Sequence, residues 1–590
     1  MRKVVLAAFA AAIIMTMSAC GGGGSPTPPS NPTVSVSPAT ANVQEAATQQ
    51  FTATVSNTSD TTVTWQVNGV TGGNASTGTI SSNGLYTAPA AIPSPASVTI
   101  TAFISDTPSI SGTAIATITP VTFNNATLKG NYVFSISGVD GNGNGFYALG
   151  AVTADGNGNI TGGEEDFDGS SFGYLFGASI TGSYNVGSDG RGTLTLNVPG
   201  INSTPFQYAL AMRALDNAVL NEIDSNVTAG TGNLELQSSP VSVPSGNYAF
   251  GFAGSGLGCG AVNSAGLFAM NGGTIGGTQD VNCGGSIIRS QTVSGSYNGM
   301  DGLGRGTGTI SGSSTGSSTI IYYVVSGSRF RFFADPNNPT YFLGSADLQT
   351  QPSFASSDFN GSYVINTSAN TSAGVSYTLI QINASGGNVS SGYYDVNNTG
   401  TYGQASLSGS YTLNPNGYVN GTWNVNNVGL PFAVYLFSPT QGYYLDERTS
   451  AVGGGNIYAQ SGTVTSNAGW AGSYATKQFG YFYAGGVLNA TNASGVSGQI
   501  SASGAGVLAG TLDINDPNGV YSGATNNALP VQGTYSVGTT APGRMSVTIT
   551  TNEALQTTRT YVGYIVDQGR VLLLETDSNL VSGGDAIRQF

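Results

Sequence analysis

The sequence predicts an all-β protein built from several domains, and three observations support this. The chain has 590 residues, which is too long for one hydrophobic core, because domains usually stop growing at roughly 250 residues. Glycine occupies 88 positions and charged residues make up only 7% of the chain. Short runs of alternating apolar and polar residues recur between Gly, Pro, Asn and Asp turns, which is typical of strands.

The charge balance excludes one class of partner. Net charge is −14, the isoelectric point is near 4.2, and the sequence has no run of Lys and Arg. Such a chain repels the phosphates of nucleic acids. We therefore expect no nucleic-acid partner. The hydrophobic fraction of 39% is high enough for packed domains rather than disorder.

The absence of histidine restricts the chemistry further. It removes the commonest general base, the usual partner of Ser and Cys nucleophiles, and the commonest metal ligand. Carboxylate chemistry, Ca²⁺ binding through oxygen ligands and Lys or Tyr roles remain. We expect no enzyme activity, no catalytic residues, no metal site and no cofactor.

The N-terminus has the order of an export signal. A positive start, Met1 to Lys3, precedes an apolar run of 14 residues from Val4 to Met17, and Ser18-Ala19-Cys20 follows. That run is shorter than the roughly 20 residues of a transmembrane helix. Met17 to Cys20 resembles the lipobox of bacterial lipoproteins, with Met where Leu is usual. The resemblance implies a signal peptide over 1–19 and lipidation of Cys20. A plain secretory signal with an incidental Cys is the alternative.

A Gly segment and a Pro segment follow Cys20, so residues 20–32 are predicted to form a tether. By resemblance to Gram-negative lipoproteins, Gly21 directly after the lipidated Cys implies the outer membrane. The predicted location is the cell envelope, with the membrane contacted through the N-terminal lipid. Neither the surface nor the periplasmic face is indicated.

Residues 33–120 form the first predicted domain. Strand-like runs such as VSVSP, QQFTATV, TVTWQVNG and SVTITAFI alternate with turns every 8 to 12 residues, which indicates a β-sandwich. The segment resembles bacterial Ig-like domains, with Trp65 on the central strand. Members of that family are mostly spacers or adhesion modules, and no Cys pair is present in this segment.

The remainder contains four internal copies of one unit, predicted over 122–239, 242–351, 355–462 and 466–590. Each copy opens on Gly-Asn/Ser-Tyr and ends on Gly-x4-Gln, and the Tyr-to-Tyr steps are 116, 115 and 111 residues. A fixed period of this size indicates tandem domains. The opening tyrosines are Tyr132, Tyr248, Tyr363 and Tyr474.

The first copy contains eight strand-like runs joined by turns such as DGNGN and SDGRG, with no helical period. Eight antiparallel strands fit either a small barrel or a two-sheet sandwich. We favour the barrel, because closure removes exposed edge strands. The unit resembles, faintly, the lipocalin and avidin architecture. It also resembles the repeats of large uncharacterised secreted proteins of soil bacteria, which implies no activity.

Each copy also carries Gly-x-x-Asp, at Asp166, Asp280, Asp395 and Asp513. We interpret these aspartates as structural, each accepting backbone N–H bonds at a bulge or turn, because every copy would need such a turn. The opening tyrosines are interpreted as core positions with a hydrogen-bonded hydroxyl, rather than as platforms for sugar stacking. Cys259 and Cys283 are expected to form a disulfide, because an exported protein meets an oxidising compartment.

Two other patterns have a functional and a structural interpretation. The acidic run from Glu164 to Asp168 could hold a glycosidase-like carboxylate pair, but only Asp166 recurs in the other copies, so a solvated acidic face is favoured. Asp140 and Asp155 each begin an incomplete Ca²⁺-loop spacing, which ordinary hairpin turns also explain.

The function predicted from these features is a monomeric cell-envelope lipoprotein of structural or adhesive type, with an extracellular glycan or protein as a possible partner. The alternatives are a barrel that binds a small ligand or saccharide, and a carboxylate-dependent enzyme acting on carbohydrate. A ligand-binding barrel predicts a cavity repeated in all copies, and the enzyme predicts a deep acidic cleft in one copy.

Overall fold

The structure is a computed structural model that describes residues 31–589 except 90–91, 170–172, 201–203, 215–216, 225–226, 257, 313–315, 336–340, 463, 485–486, 518, 523–527 and 554–555. The predicted signal peptide, Cys20 and most of the tether lie outside the described residues. The chain divides into two compact units, Met1–Pro89 with Pro93–Thr119 and Ala90–Ile92 with Pro120–Phe590. None of the helices in the described part is long and apolar enough to cross a membrane.

The first unit consists of three small sheets around one core. Their orders are β1-β4, β2-β11-β10-β5-β6 and β3-β9-β8-β7. Trp65 is buried in this core among Val, Ile and Ala side chains. The strands are β1 (Thr33–Ser37), β2 (Thr40–Gln44), β3 (Thr48–Gln50), β4 (Thr52–Ser56), β5 (Val63–Val67), β6 (Val70–Thr71), β7 (Gly73–Asn74), β8 (Gly78–Ile80), β9 (Leu85–Thr87), β10 (Ser97–Ile104) and β11 (Thr107–Thr119).

The second unit contains four closed antiparallel barrels, which confirms the all-β class and the preference for barrels over sandwiches. In barrels 1 and 4 the fourth strand is interrupted and counts as two strands. Each of these two barrels is closed by hydrogen bonds between its second and third strands. Barrel 1 comprises β12 (Lys129–Asp140), β13 (Gly145–Asp155), β14 (Asn159–Gly169), β15 (Gly173–Ser179), β16 (Thr181–Val186), β17 (Arg191–Asn197), β18 (Phe206–Ala214), β19 (Asn217–Glu222) and β20 (Val227–Leu236). Barrel 2 comprises β21 (Gly246–Ser255), β22 (Ala261–Asn271), β23 (Thr274–Cys283), β24 (Ser286–Tyr297), β25 (Arg305–Gly312), β26 (Gly316–Ser326), β27 (Arg329–Ala334) and β28 (Tyr341–Leu348).

Barrels 3 and 4 repeat this order. Barrel 3 comprises β29 (Gly361–Thr371), β30 (Gly374–Ser385), β31 (Asn388–Asn398), β32 (Thr401–Leu413), β33 (Tyr418–Val425), β34 (Val428–Ser438), β35 (Gln441–Asp446) and β36 (Ala451–Ala459). Barrel 4 comprises β37 (Ala471–Ala484), β38 (Val487–Ser503), β39 (Val507–Asp516), β40 (Gly519–Tyr521), β41 (Leu529–Val537), β42 (Arg544–Thr550), β43 (Thr558–Asp567), β44 (Arg570–Glu575) and β45 (Leu580–Arg588). Short 3-10 turns, Asn125–Thr127, Ser356–Phe359 and Asn467–Gly469, precede barrels 1, 3 and 4.

The strands are longer than the runs of mostly 5 to 8 residues visible in the sequence. β12 has 12 residues and β32 has 13. The sequence hides this length because Gly, Ser, Thr and Asn fill many outward positions, so the apolar alternation breaks off before the backbone ladder does. Longer strands extend each barrel wall beyond its core, and the extra surface contacts the neighbouring barrels.

The side-chain alternation gives each barrel two apolar surfaces. In β12, Tyr132, Phe134 and Ile136 point into barrel 1, whereas Val133 points outward and packs against barrel 2. This follows from the period of two in a strand. The barrel interiors are occupied by large side chains such as Trp423 and Phe432 in barrel 3, whose rings stack at 3.6 Å. The interiors are therefore packed cores.

A segment before the first strand covers one end of each barrel. Leu128, Phe359 and Trp470 of these segments are completely buried. A second repeated tyrosine fixes each segment by donating its hydroxyl to a backbone carbonyl. These bonds are Tyr184 to Leu128 at 2.7 Å, Tyr297 to Pro244 at 3.1 Å, Tyr411 to Phe359 at 2.8 Å and Tyr535 to Trp470 at 2.5 Å.

Candidate functional site

The four opening tyrosines lie in the barrel cores, each exposing 2% of its surface or less. The hydroxyls of three of them reach backbone carbonyls at the barrel end. Tyr248 donates to Gly327 at 3.1 Å, Tyr363 to Pro439 at 3.1 Å and Tyr474 to Gln568 at 2.8 Å. Buried rings of this kind are not available for stacking against a sugar. Their role in the structure is to fill the core and tie strand ends together.

The repeated aspartates lie where one barrel contacts the next. Asp166 of barrel 1 accepts two hydrogen bonds from Arg305 of barrel 2, at 2.7 Å from Nε and 2.6 Å from Nη2. It also accepts one from the hydroxyl of Tyr323 at 2.7 Å. The carboxylate is completely buried, and two parallel bonds from one guanidinium form the strongest geometry available to such a pair.

The same arrangement recurs between barrels 3 and 4. Asp395 accepts bonds from Arg544 at 3.0 Å from Nε and 2.7 Å from Nη2, and from the hydroxyl of Tyr564 at 2.5 Å. Between barrels 2 and 3, Tyr418 and Tyr435 take the positions of Arg and Tyr and face Asp280. Each of the three interfaces between consecutive barrels thus contains the same kind of polar contact, a buried Asp that faces side-chain donors of the next barrel.

The fourth aspartate shows that the series of barrels closes into a ring. Asp513 of barrel 4 accepts bonds from Arg191 of barrel 1, at 3.1 Å from Nε and 2.8 Å from Nη2. These residues are 322 positions apart. Ala211 lies opposite Arg191 in barrel 1, just as Tyr323 lies opposite Arg305 in barrel 2. Ala211 therefore takes the position of the tyrosine at this interface. Barrel 4 therefore contacts barrel 1 as barrel 1 contacts barrel 2, which is a head-to-tail contact whose rotation closes.

Electrostatics at these clusters keep the donors protonated. The hydrogen-bonded carboxylate of Asp166 raises the pKa of Arg305. Burial and the charge of Asp166 raise the pKa of Tyr323 well above its ordinary value, and burial with the charge of Asp395 does the same for Tyr564. The phenols therefore remain donors throughout the physiological pH range.

The glutamine that ends each copy makes a second contact that is repeated around the ring. Its side-chain amide donates to two carbonyls of the next barrel. Gln237 donates to Leu303 and Val324 at 2.8 and 2.7 Å, Gln349 to Asn416 and Leu436 at 2.8 and 2.9 Å, Gln460 to Pro542 and Ile565 at 3.3 and 2.8 Å, and Gln589 to Asp189 and Met212 at 3.1 and 2.9 Å.

A glycine in the next barrel makes room for each glutamine. Gly190, Gly304, Gly417 and Gly543 all have φ between +76° and +90°. A Cβ at these positions would lie only 2.8 to 3.0 Å from the glutamine Nε2. Both the left-handed backbone and the close approach require glycine. The residue that follows each glycine is the Arg or Tyr that faces the aspartate.

Apolar clusters complete the interfaces. Val133 and Leu149 of barrel 1 pack against Ile321 and Phe333 of barrel 2. Corresponding clusters join barrels 2 and 3, barrels 3 and 4, and barrels 4 and 1, the last being smaller and containing Ala211, Val219 and Ala475. Full burial of a Val, Leu, Ile or Phe side chain contributes roughly 1.5 to 3 kcal/mol, so the apolar contacts hold the ring together and the polar contacts fix its register.

Two of the aspartates also accept a backbone N–H bond within their own barrel. The backbone N–H of Gly177 donates to Asp166 at 3.0 Å and that of Ser290 to Asp280 at 2.5 Å. Both bonds lie at shifts in strand register. The contact with the next barrel was not anticipated. The recurring Gly-Arg, as in Gly190-Arg191, and the terminal Gln were visible signals, but nothing in a linear sequence pairs them.

The acidic run of the first copy is divided between two surfaces. Glu165 points into barrel 1, where burial and the charge of Asp166 raise its pKa to about 8. Asp166 faces barrel 2, and burial raises the pKa of Asp168 to about 7. Asp140 and Asp155 accept backbone N–H bonds within their own hairpin turns. In the described residues, no group of three or more acidic or Cys side chains is arranged to hold a metal ion.

Cys259 and Cys283 are joined in barrel 2, with their Cα atoms 5.5 Å apart. The bridge lies beside a cleft of about 670 Å³ between barrels 2 and 3. Ile287, Val428 and Leu430 supply apolar walls, and Arg289 and Glu447 form an ion pair at 3.0 Å. Burial raises the pKa of Glu447. The size is that of a small-molecule site.

Comparisons with known proteins add little. No family model and no curated protein matches the chain. A mutant of transferrin binding protein B from Haemophilus parasuis Hp5 is similar at 10% identity over 65% of this chain and 85% of that chain, with a TM-score of 0.17. The isotype 1 transferrin binding protein B from serogroup B Neisseria meningitidis is similar at 13% identity over the same shares, also with a TM-score of 0.17. Scores this low carry no argument about fold or function.

Proposed function

We propose that the chain is a lipid-anchored cell-envelope protein whose four-barrel ring acts as a rigid structural or adhesive element, with an extracellular glycan or protein as its partner. The observation that carries this proposal is the closure of the ring through the same Asp and Gln contacts at successive interfaces. A closed ring resists bending at every junction, which a string of four domains on flexible linkers does not.

The packed interiors support a role for the outer surface. A barrel that holds a ligand inside needs an empty, lined interior, whereas large side chains such as Phe134 and Trp423 fill these barrels. The proposed activity is non-catalytic. It rests on the absence of histidine from the sequence and on the structural use of the four repeated aspartates.

The anchor is tested by labelling with palmitate. We expect label to enter the wild-type protein, and we expect Cys20→Ala to abolish labelling and release the protein into the soluble fraction. Cys259→Ser with Cys283→Ser is the matched control, because it removes the other two cysteines of the chain and leaves the lipidation site. Unchanged membrane attachment of Cys20→Ala would overturn the lipoprotein assignment.

Saccharide or small-ligand binding is a second candidate, favoured by the cleft between barrels 2 and 3. Val428 lines this cleft and is 58% exposed. A glycan array with the mature protein, repeated with Val428→Trp to fill the cleft, tests it. Val507→Trp is the matched control, because Val507 also begins a strand and is 55% exposed. Binding that survives both substitutions would place the ligand elsewhere.

A further inference from the structure

Ten side chains from all four barrels gather where the outward faces of several strands converge, which we call the axis cluster. The strands β20, β37 and β38 meet here. Five members are basic and three are acidic, in a chain with only 15 Lys and Arg residues. The members are Arg213 and Glu235 of barrel 1, Arg329, Arg331 and Asp347 of barrel 2, Tyr443 and Tyr458 of barrel 3, and Lys477, Arg570 and Asp585 of barrel 4.

The three carboxylates are each already paired. Glu235 accepts bonds from Arg329 at 3.2 Å and Arg331 at 2.7 Å. Asp347 accepts from Arg329 at 2.7 Å and from the hydroxyl of Tyr443 at 2.5 Å. Asp585 accepts from Arg213 at 2.9 Å. Three of the five cations are thereby matched.

The other two cations form no ion pair with any described carboxylate. Lys477 Nζ donates to the side-chain oxygen of Asn233 at 3.1 Å. Arg570 stacks over the ring of Tyr458, with its guanidinium carbon 4.3 Å from the ring centre. Burial lowers its pKa, but the neighbouring Tyr458, Asp585 and Asp567 outweigh burial and raise it. In addition, the Nε of Arg213 is buried and has no acceptor among the described residues. Asp585 is the counter-charge that Arg213, Arg570 and Lys477 share, so one carboxylate faces three cations and the cluster holds an excess of positive charge.

This excess is costly without a counter-charge. Buried cations are normally paired or lose their proton, and burial lowers the pKa of Lys477 to about 8 and lowers the pKa of Arg213 as well. The cluster remains accessible from one side, since the side chain of Arg329 is 38% exposed and that of Arg213 is 15% exposed.

The fourfold repeat does not account for Lys477. Contacts that the ring needs recur in every barrel, as the Asp and Gln contacts do. Lys477 is the third residue after the opening tyrosine, and the corresponding positions of the other copies are Ser135, Gly251 and Asn366. The axis cluster is therefore a feature added to one place in a repeated framework.

We propose that the axis cluster binds an oxyanion of the phosphate or sulfate type, either as the free ion or as an ester group on a larger molecule. Lys477 and Arg570 supply the donors. Guanidinium and ammonium groups are the usual ligands of such oxygens. This inference does not depend on the envelope role.

The test is a titration of the mature protein with inorganic phosphate and with inorganic sulfate at constant ionic strength, followed by calorimetry and by the thermal midpoint. We expect saturable binding and a rising midpoint, with chloride inert. Lys477→Met should weaken binding at least about tenfold, the loss of one charged hydrogen bond, and Lys477→Arg should restore most of it. Lys129→Met, which removes an exposed lysine outside the cluster, is the matched control.

The source of the anion is distinguished by a second arm with glucose 6-phosphate. Binding of this ester within a few-fold of inorganic phosphate supports a phosphorylated ligand, and binding of the inorganic ions alone supports a free anion. Absence of saturable binding of phosphate, sulfate and the ester by the wild-type protein would overturn the proposal. Equal weakening by Lys477→Met and Lys129→Met would also overturn it.

Discussion

Ring closure is tested most directly by Arg191→Met. The substitution leaves the Asp513 carboxylate, which exposes only 2% of its side chain, without the two bonds from Arg191. Removing one partner of a buried ion pair typically costs about 3 to 5 kcal/mol. Arg191 keeps 15% of its side chain exposed, so the low end, about 3 kcal/mol, applies.

The consequence should be local opening between barrels 4 and 1. No linker joins these barrels in the described chain, so a loss of about 3 kcal/mol raises the population of the opened ring roughly hundredfold. Hydrogen exchange followed by mass spectrometry should then show faster exchange in β17 and β39, with barrels 2 and 3 unchanged. Exchange in backbone amides reports this kind of sub-global opening.

Arg305→Met is the matched control, because it removes the equivalent arginine at an interface that a linker spans. Asp166 keeps its bond from Tyr323 there, and the chain between barrels 1 and 2 keeps them adjacent. We expect a smaller effect, confined to β14 and β25. If Arg191→Met folds and its β17 and β39 exchange at the wild-type rate, the ring does not depend on this contact and the reasoning is wrong.

Three further predictions concern barrel 2, pH and chain order. Replacing Cys259 and Cys283 with Ser, which opens a loop of 24 residues, should destabilise barrel 2 by about 3.5 kcal/mol in the chain-entropy model. Hydrogen exchange in β22 and β23 measures this loss of stability. Thiol alkylation tests the disulfide itself, and free thiols in the unreduced wild type would contradict it. Burial raises the folded pKa of Glu165 to about 8, above its unfolded value, so the folded state binds the extra proton. This group should therefore withdraw stability from barrel 1 between about pH 4.5 and about pH 8, at about 1.4 kcal/mol per pH unit, in addition to the loss from Asp168, whose pKa burial raises to about 7. Glu165→Gln should reduce that slope by about 1.4 kcal/mol per pH unit in urea unfolding and leave the part due to Asp168, and an unchanged slope would refute the assignment. Gln589 and Phe123 both approach Gly190, so residues 122 and 589 can be joined by three or four added residues. A circular permutant of 122–589 joined in this way and beginning at residue 355 should fold with wild-type hydrogen exchange in β17 and β39. Aggregation of this permutant would argue against ring closure.

The sequence by itself determined the all-β class, the fourfold repeat and the preference for barrels. These properties are local, because alternation, turn residues and the Gly-Asn/Ser-Tyr anchors act over a few residues. It also singled out Asp166, Asp280, Asp395 and Asp513, but assigned them only the contacts that lie nearby in the chain. The strand lengths were underestimated because polar outward positions mask the pairing.

Only the tertiary structure decided how the barrels are arranged. Gln589 and Asp189 are 400 positions apart, and their contact depends on the rotation from each barrel to the next, which no local pattern records. The axis cluster arises in the same way, since its five cations are dispersed along the chain and form no run. Charges that are scattered in the sequence converge because the outward faces of the strands that carry them meet when the ring closes, and long-range packing alone sets that geometry.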